Sequence, residues 1–107
     1  MDSATLVSRE HDRTVIWLDG EHDIATAGTL AATLTHALRA AEGDVVIDLR
    51  RVTFIDAATV GVLVEGRNVL NGEARRLTFR APSPRAMHVL SLCGLAHLID
   101  VPALRSL

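Results

Sequence analysis

Lysine is absent from the sequence, and all eleven basic residues are arginine. Sites whose chemistry needs a lysine ammonium are therefore excluded. Thirteen acidic residues outnumber the basic ones and give a formal net charge of −2. This balance leaves no basic stripe for neutralising phosphates, so nucleic acid is not expected as a partner.

Cysteine is nearly absent as well. Cys93 is the single cysteine, so an intramolecular disulfide is impossible. Its neighbours Leu92, Gly94 and Leu95 are apolar or small, and free cysteine is among the residue types most often buried. We expect Cys93 to be a buried thiol.

Long apolar runs are also missing. No stretch approaches the roughly 18 apolar residues of a membrane span, and no basic segment leads into an apolar one near the N-terminus. Hydrophobic residues form 49% and charged residues 22% of the 107 residues, a composition typical of one soluble globular domain. We expect a single cytoplasmic domain over residues 1–107 that does not contact a membrane.

Common catalytic and cofactor motifs are missing too. The sequence has no G-x-G-x-x-G or G-x-x-x-x-G-K-[ST] loop for phosphates and no G-x-S-x-G nucleophile turn. Its five histidines show no metal-ligand spacing, and we expect them at the surface or at helix caps. They are His11, His22, His36, His88 and His97. We predict no enzyme activity, no metal and no cofactor.

What the sequence does contain is an alternation of short apolar strands and helix-length segments. Residues 5–8 and 13–18 are predicted as strands, and the second ends at the turn signal Asp19-Gly20. Apolar residues then recur at helical spacing, which predicts a helix with one buried face that is ended by Gly43. The recurring residues are Leu30, Leu34, Leu38 and Ala41.

The second half of the chain continues this alternation. Residues 44–49 are predicted as a buried strand, residues 57–70 as a helix and residues 75–80 as another strand. We expect one apolar stripe to bury the helix. The stripe consists of Val62, Gly66 and Val69, with Leu63 and Leu70 along its edge.

A third helix is marked at both ends. Ser83 is its predicted N-cap, Pro84 its first residue, and Gly94 its end. A short strand over 97–101 and a short helix after Pro102 complete the pattern. Strands that alternate with helices favour right-handed βαβ units, so we predict an α/β domain with a mixed, mostly parallel sheet of four or five strands and helices packed against it.

Asp56 stands between the buried strand and the second helix, where an aspartate caps a helix N-terminus and complements its dipole. Receiver domains of two-component systems also place an aspartate at a strand end, but they need a lysine. Because this sequence has none, that reading is rejected.

At this point the sequence resembles a known family. The segment "VVIDLRRVTFIDAATVGVLVEGR" is similar to the central signature of STAS domains, the anti-sigma factor antagonists of bacterial partner-switching systems. The segment "VIWLDGEHDIATAGTLAATL" resembles the family's strand, turn and first helix, and "SPRAMHVLSLCGLAHLI" resembles its third helix and final strand. The three segments occur in the family's order and spacing and cover nearly the whole chain.

The resemblance implies a regulatory mechanism. In the family, a serine or threonine directly after the aspartate is phosphorylated by an anti-sigma factor that is also a kinase. The unmodified antagonist binds that kinase and frees the sigma factor, whereas the modified one releases it. Here the position after Asp56 is Ala57, followed by Ala58, so the nearest hydroxyl belongs to Thr59. Phosphorylation at the usual position is therefore not expected.

We interpret the chain as a binding module that docks on an anti-sigma factor or a related ATPase-kinase regulator. Two alternatives remain open. Thr59 could be a displaced phosphorylation site, or the domain could be a small-molecule sensor or scaffold whose partners are other STAS domains or copies of itself. The predicted docking residues are Gly20, Glu21, Asp23, Asp56, Ala57 and Thr59.

Overall fold

Five strands and three α-helices alternate along the chain in the computed structural model, which describes residues 2–100. In chain order they are β1 (Ser3–Glu10), β2 (Arg13–His22), α1 (Ile24–Ala40), β3 (Val45–Ile55), α2 (Ala57–Gly72), β4 (Leu77–Arg80), α3 (Pro84–Leu92) and β5 (Ile99–Asp100), with a 3-10 turn, Ala96–Leu98, before β5. Within residues 2–100, no helix combines the length and the apolar character that a bilayer crossing requires.

The sheet follows the order of the chain, β1-β2-β3-β4-β5. β1 is antiparallel to β2, and every other neighbouring pair is parallel. Because each parallel crossover steps in the same direction, right-handed connections place all three helices on one face. Ile16, Ile47 and Phe79 lie side by side on that face and belong to one core with side chains from the three helices. The predicted α/β fold with a mixed, mostly parallel sheet is confirmed.

Two strands extend further than the sequence indicated. β2 continues through Asp19-Gly20 to His22, so the predicted turn there is wrong, and β3 continues to Ile55. The two strands stay paired across two register shifts, which absorb the irregular segment. Gly20 has a φ of +82°, and a Cβ at this position would collide with the backbone oxygen of Asp2. Glycine is therefore needed inside the strand and does not end it.

Helix ends and faces also differ in part from expectation. α1 ends at Ala40, before the predicted stop at Gly43. The stripe predicted for α2 is confirmed at Leu63, Gly66 and Leu70, which are buried. It is wrong at its other two positions, because Val69 is 53% exposed and Val62 only half-buried. The stripe is rotated toward the sheet. Its buried residues are Thr59, Val60, Leu63, Gly66 and Leu70.

The last elements are shorter than predicted. The segment predicted as a strand over 97–101 begins as the 3-10 turn, and the strand itself is β5. β4 starts at Leu77, two residues later than expected. The helix predicted after Pro102 lies outside the described residues. α3 follows the prediction, since Ser83 Oγ accepts a hydrogen bond from the Ala86 N–H at 3.2 Å and Pro84 opens the helix.

Two single-residue predictions were wrong. Cys93 is exposed, because it follows the last residue of α3, where the chain turns into Gly94 with a φ of +73°. His22 is buried, with only 1% of its surface exposed. It ends β2 opposite the core residue Ile55, and its Nε2 lies 3.1 Å from the Asp19 carbonyl oxygen.

Candidate functional site

Asp23 and Asp56 lie at the same end of the sheet, after the carboxyl ends of β2 and β3. β2 and β3 are parallel and end opposite each other at His22 and Ile55, and each aspartate directly follows its strand. The Asp56 N–H donates a hydrogen bond to the His22 carbonyl oxygen at 3.3 Å, which holds the two chain segments together. The carboxyl ends of parallel strands are a common position for binding sites in α/β folds.

The Asp56 carboxylate caps two helices at once. Its Oδ1 accepts hydrogen bonds from the Thr59 N–H at 3.0 Å and the Thr59 hydroxyl at 3.2 Å, at the N-terminus of α2. Its Oδ2 accepts a hydrogen bond from the N–H of Ile24, the first residue of α1, at 3.1 Å. Both helix dipoles therefore direct their positive ends at one carboxylate. The prediction that Asp56 is an N-cap is confirmed for α2, and the second contact was not foreseen.

Asp23 caps α1 from its own side. Its Oδ1 accepts a hydrogen bond from the Ala25 N–H at 2.9 Å. In return, the Asp23 N–H donates to Thr26 Oγ1 at 3.1 Å, which completes a reciprocal capping box. Two carboxylates thus stand next to each other over two helix N-termini, and the helices stabilise their negative charge.

Exposed apolar side chains surround the two aspartates. Ile24 is 77% exposed, although it is a large hydrophobic residue, and Ala25 and Ala57 are exposed beside it. Ile24 was missed by the sequence analysis. The available signal was its phase, because it lies off the helical stripe of leucines that α1 buries. Three of the residues predicted to dock a partner, Asp23, Asp56 and Ala57, lie here beside Ile24 and Ala25. These five residues are called the docking surface below, and docking there stays a prediction.

Thr59 lies underneath this surface. It is fully buried, with 0% of its surface exposed, and its hydroxyl donates a hydrogen bond to Asp56 Oδ1. It supports the cap and does not itself contribute to the exposed surface. A kinase could reach this hydroxyl only if the first turn of α2 opened, so phosphorylation of Thr59 stays a prediction.

Gly20 and Glu21 are half-buried within β2, just before the docking surface. Glu21 lies opposite Phe54 of β3, and its Oε2 is buried without a hydrogen-bond partner among the described residues. The structure therefore places them in the strand that leads to Asp23, and not on a separate turn. Within residues 2–100, no group of three histidine, cysteine, aspartate or glutamate side chains is arranged to hold a metal ion.

A second polar cluster lies on the sheet face opposite the helices. Asp48, only 1% exposed, accepts hydrogen bonds from Arg50 Nη2 at 2.9 Å and Arg80 Nε at 2.8 Å. Arg80 also donates to Glu10 Oε1 at 3.0 Å. Burial works against the charge of Asp48, but the hydrogen bonds from Arg50 and Arg80 outweigh it and hold the pKa of Asp48 below its usual value. A hydrogen bond from Arg80 lowers the pKa of Glu10 as well.

Comparison with known proteins agrees with this geometry. A family model described as Mlab, STAS domain, matches residues 5–100. The anti-sigma factor antagonist SpoIIAA in its unphosphorylated form is 22% identical, with a TM-score of 0.81 over 97% of this chain and 98% of that one. An anti-sigma factor antagonist from Mycobacterium paratuberculosis is 24% identical, with a TM-score of 0.83 over 92% and 84%. SpoIIAA of Bacillus in the phosphorylated form is 24% identical, with a TM-score of 0.73 over 91% of this chain and 89% of that one.

No curated protein is matched by the sequence. At these identities, the likeness to solved structures shows the fold. The family model shows more than the fold, because it matches the sequence from β1 to β5 and includes both Asp23 and Asp56. The resemblance found in the sequence is thereby confirmed, and the chain belongs to the STAS domain family.

Proposed function

We propose that this protein is a regulator of the anti-sigma factor antagonist kind, which binds a kinase-type anti-sigma factor through the docking surface and thereby controls sigma-factor-dependent transcription. Structures named as anti-sigma factor antagonists share the fold of this chain, which supports a regulator of that general kind. We assign the contact to the docking surface, and we keep a cytoplasmic location as a prediction.

The observation that carries the proposal is the position of Ala57. It is exposed, it opens α2, and it lies directly beside the carboxylate that caps both helices. A phosphate at this position would add about 1.5 to 2 negative charges next to Asp56 and near Asp23, which favours release of a partner that binds those carboxylates. A methyl group cannot carry that phosphate. We therefore propose an antagonist that phosphorylation at position 57 does not switch off.

The docking surface also indicates the chemistry of its partner. Two carboxylates at an exposed edge favour a surface with arginine, lysine or N–H donors opposite them. The exposed side chain of Ile24 favours a partner with an apolar pocket opposite it, because a large aliphatic group contributes to affinity mainly when it is removed from water. We expect a partner surface with a hydrophobic pocket next to cationic groups.

Two alternatives carry less support. Phosphorylation of Thr59 would require its buried hydroxyl to leave Asp56 and the first turn of α2 to open. If the protein is instead a small-molecule sensor or a scaffold, it does not bind an anti-sigma factor through the docking surface. The scaffold alternative is tested by the capture experiment that follows. Phosphorylation of Thr59 is tested separately, by incubating the native chain with the captured kinase and ATP.

The experiment is an affinity capture from lysate of the protein's own host, read by mass spectrometry. The native chain, Asp56→Lys and Ala57→Glu serve as baits. Ala57 is exposed and a glutamate in the first turn suits a helix, so Ala57→Glu changes the surface without removing a cap. The matched controls are Asp12→Lys in the β1–β2 hairpin and Ala40→Glu at the far end of α1, both exposed positions.

We expect an ATPase-kinase-type anti-sigma factor to be retained by the native chain and both controls, and lost with Asp56→Lys and Ala57→Glu. Equal retention by all five baits would place the contact elsewhere on the molecule. Capture of STAS-like chains without any such regulator would favour the scaffold alternative and overturn the proposal.

A further inference from the structure

Within residues 2–100, no strand pairs with the outer edge of β1. β1 is the first strand of the sheet, and its eight residues pair with β2 on one side only, from Ser3 opposite Gly20 to Glu10 opposite Arg13. The register contains no shift along this length. Among the described residues no strand lies on the other side of β1, so a straight edge of eight residues faces outward.

The backbone groups of alternate residues point away from the sheet at this edge. The Glu21 N–H donates to the Asp2 carbonyl oxygen at 3.0 Å, so the backbone of Asp2 faces β2. In an antiparallel pair, successive residues direct their N–H and C=O groups to opposite sides. The outward groups therefore belong to the odd-numbered residues. These are Ser3, Thr5, Val7 and Arg9.

The usual protection against edge pairing is missing. Natural edge strands carry proline, lysine, bulges or outward charges, and β1 has no proline, no lysine and no bulge. Its one basic side chain, Arg9, turns away and donates to Thr14 Oγ1 at 2.7 Å and to the Glu42 carbonyl oxygen at 3.1 Å. Leu6 and Val7 remain 66% and 48% exposed. The other sheet edge, β5, has only two residues in the described part of the chain.

We propose that a second copy of this chain occupies this edge, with its β1 antiparallel to the first about a two-fold axis at Leu6. In this register Ser3 of each copy lies opposite Arg9 of the other, and Thr5 lies opposite Val7. Every outward N–H and C=O of the four odd-numbered residues then has a partner. The two sheets join into one continuous sheet.

The strand is complementary to itself in this register alone. Thr5 and Val7 form β-branched cross-strand pairs, and the two Leu6 side chains meet at the axis in a closely spaced pair without direct hydrogen bonds. A slip by two residues in either direction leaves outward backbone groups unpaired and removes the contact between the leucines. No two like charges oppose each other from residue 3 to residue 9. Glu10, opposite Asp2, is held by Arg80 and Arg13 of its own chain.

The surroundings of the edge suit close approach. A groove of about 620 Å³ separates β1 from α1, and its α1 side is formed by Ala32, Thr33, His36, Ala37 and Ala40. Apart from Arg9, the groove has no arginine, lysine, aspartate or glutamate. A neighbouring copy therefore meets small and mostly uncharged side chains, and no row of like charges repels it. Isologous contacts of this kind are the commonest in homodimers.

This proposal is independent of the proposed function, because the docking surface lies beyond the end of β1 where Asp2 meets Glu21. The first test is the molecular mass of the full chain over a concentration series, measured by light scattering or sedimentation. We expect twice 11.5 kDa at high concentration and a fall toward a single chain on dilution. A single-chain mass at every concentration would overturn the proposal and leave the edge to another occupant.

Two variants test whether β1 forms the contact. Thr5→Pro removes an outward N–H without removing a bond to β2, which is the position where edge strands tolerate proline. Leu6→Lys places charges at the two-fold axis and serves if the proline variant does not fold. Val69→Arg is the control, because Val69 is an exposed residue of α2 that lies away from β1. We expect single chains for the first two and dimers for the control, whereas dimers from folded Thr5→Pro or Leu6→Lys would refute the contact.

A thiol cross-link tests the register. In a Cys93→Ser background, Leu6→Cys should form a covalent dimer with diamide, because facing residues have Cβ atoms about 4.5 to 5.5 Å apart. Two thiols lose two electrons and two protons to the diamide as the S–S bond forms. Val7→Cys is the matched control, since its two sulfurs would be diagonal and farther apart. Equal or faster cross-linking of Val7→Cys would reject the register.

Discussion

At the scale of single residues, Asp56 joins two helices that are otherwise capped separately. The bond to Thr59 spans three residues, but the bond to Ile24 spans 32. An aspartate between a buried strand and a helix is a local pattern, so the sequence predicted the first bond. The second depends on how β2 and β3 end beside each other, which no local pattern contains.

Removal of this carboxylate should cost more than removal of an ordinary cap. We expect Asp56→Ala to lower the free energy of unfolding by about 2 kcal/mol, because two helix ends lose a partner, against about 1 kcal/mol for Ser83→Ala, which caps α3 alone. Urea denaturation of both variants measures the difference. Equal losses would mean that the bond to Ile24 contributes little.

A hydroxyl at position 57 should restore the missing modification. Ala57→Ser should change the free energy of unfolding by less than about 0.5 kcal/mol, because the position is exposed. Incubated with the captured kinase and ATP, this variant should gain the mass of one phosphate, and the native chain should gain none. A phosphate on the native chain that maps to Thr59 would support the displaced site instead.

Asp48 should make the protein sensitive to acid. Its pKa is lowered in the folded state, so the unfolded chain takes up protons first as the pH falls. The stabilisation is complete above the unfolded value of about 4 and is lost as the pH falls through the folded-state pKa. Asp48→Asn should cost about 1 to 3 kcal/mol at neutral pH.

Denaturation at a series of pH values checks this expectation. The native chain should lose stability steeply below about pH 4, and Asp48→Asn should show a smaller loss over the same range. An unchanged slope in the variant would assign the acid sensitivity to other carboxylates, such as Glu10, whose pKa is also lowered.

At the scale of helices and strands, the sequence predicted which elements exist better than where they end. The order of strands and helices follows from local periodicity and turn residues, and all three helices were found at their predicted places. The ends of β2 and β3 were missed because pairing between them, with two register shifts, carries both strands past Gly20 and Arg50. The buried stripe of α2 was predicted only in part, because α1 and the sheet together select which face of the helix is buried.

The contact between α1 and α2 depends on one glycine. A Cβ at Gly66 would lie 2.6 Å from Leu34 Cδ2, whereas a Cβ at Gly61 would meet nothing within 4 Å. Alanine normally stabilises a helix by about 0.5 to 1 kcal/mol over glycine. We therefore expect Gly61→Ala to raise the free energy of unfolding and Gly66→Ala to lower it, because overpacking costs about 1 to 3 kcal/mol. Denaturation that shows stabilisation of both variants would contradict this close approach.

At the scale of the whole molecule, the helices occupy one sheet face, the docking surface one end and β1 one edge. These features do not overlap, so contacts with a regulator and with a second copy are compatible. In the proposed dimer the two β1 strands run in opposite directions, and the two docking surfaces would face opposite ways. A tethered pair of partners could then be bridged by one dimer, with avidity set by the spacing of the two sites.

The chain contains one tryptophan and no tyrosine, and Trp17 lies opposite Leu6 of β1. Its indole N–H donates to Ser8 Oγ at 2.9 Å, and the guanidinium groups of Arg50 and Arg80 lie 5.4 and 4.9 Å from the ring centre. The intrinsic fluorescence of the protein therefore arises from a single indole ring close to two guanidinium groups, beside the proposed two-fold axis. The emission maximum and intensity of Trp17 therefore report on the surroundings of Leu6 and of the proposed dimer contact. Dimer formation can be followed by fluorescence without adding a label.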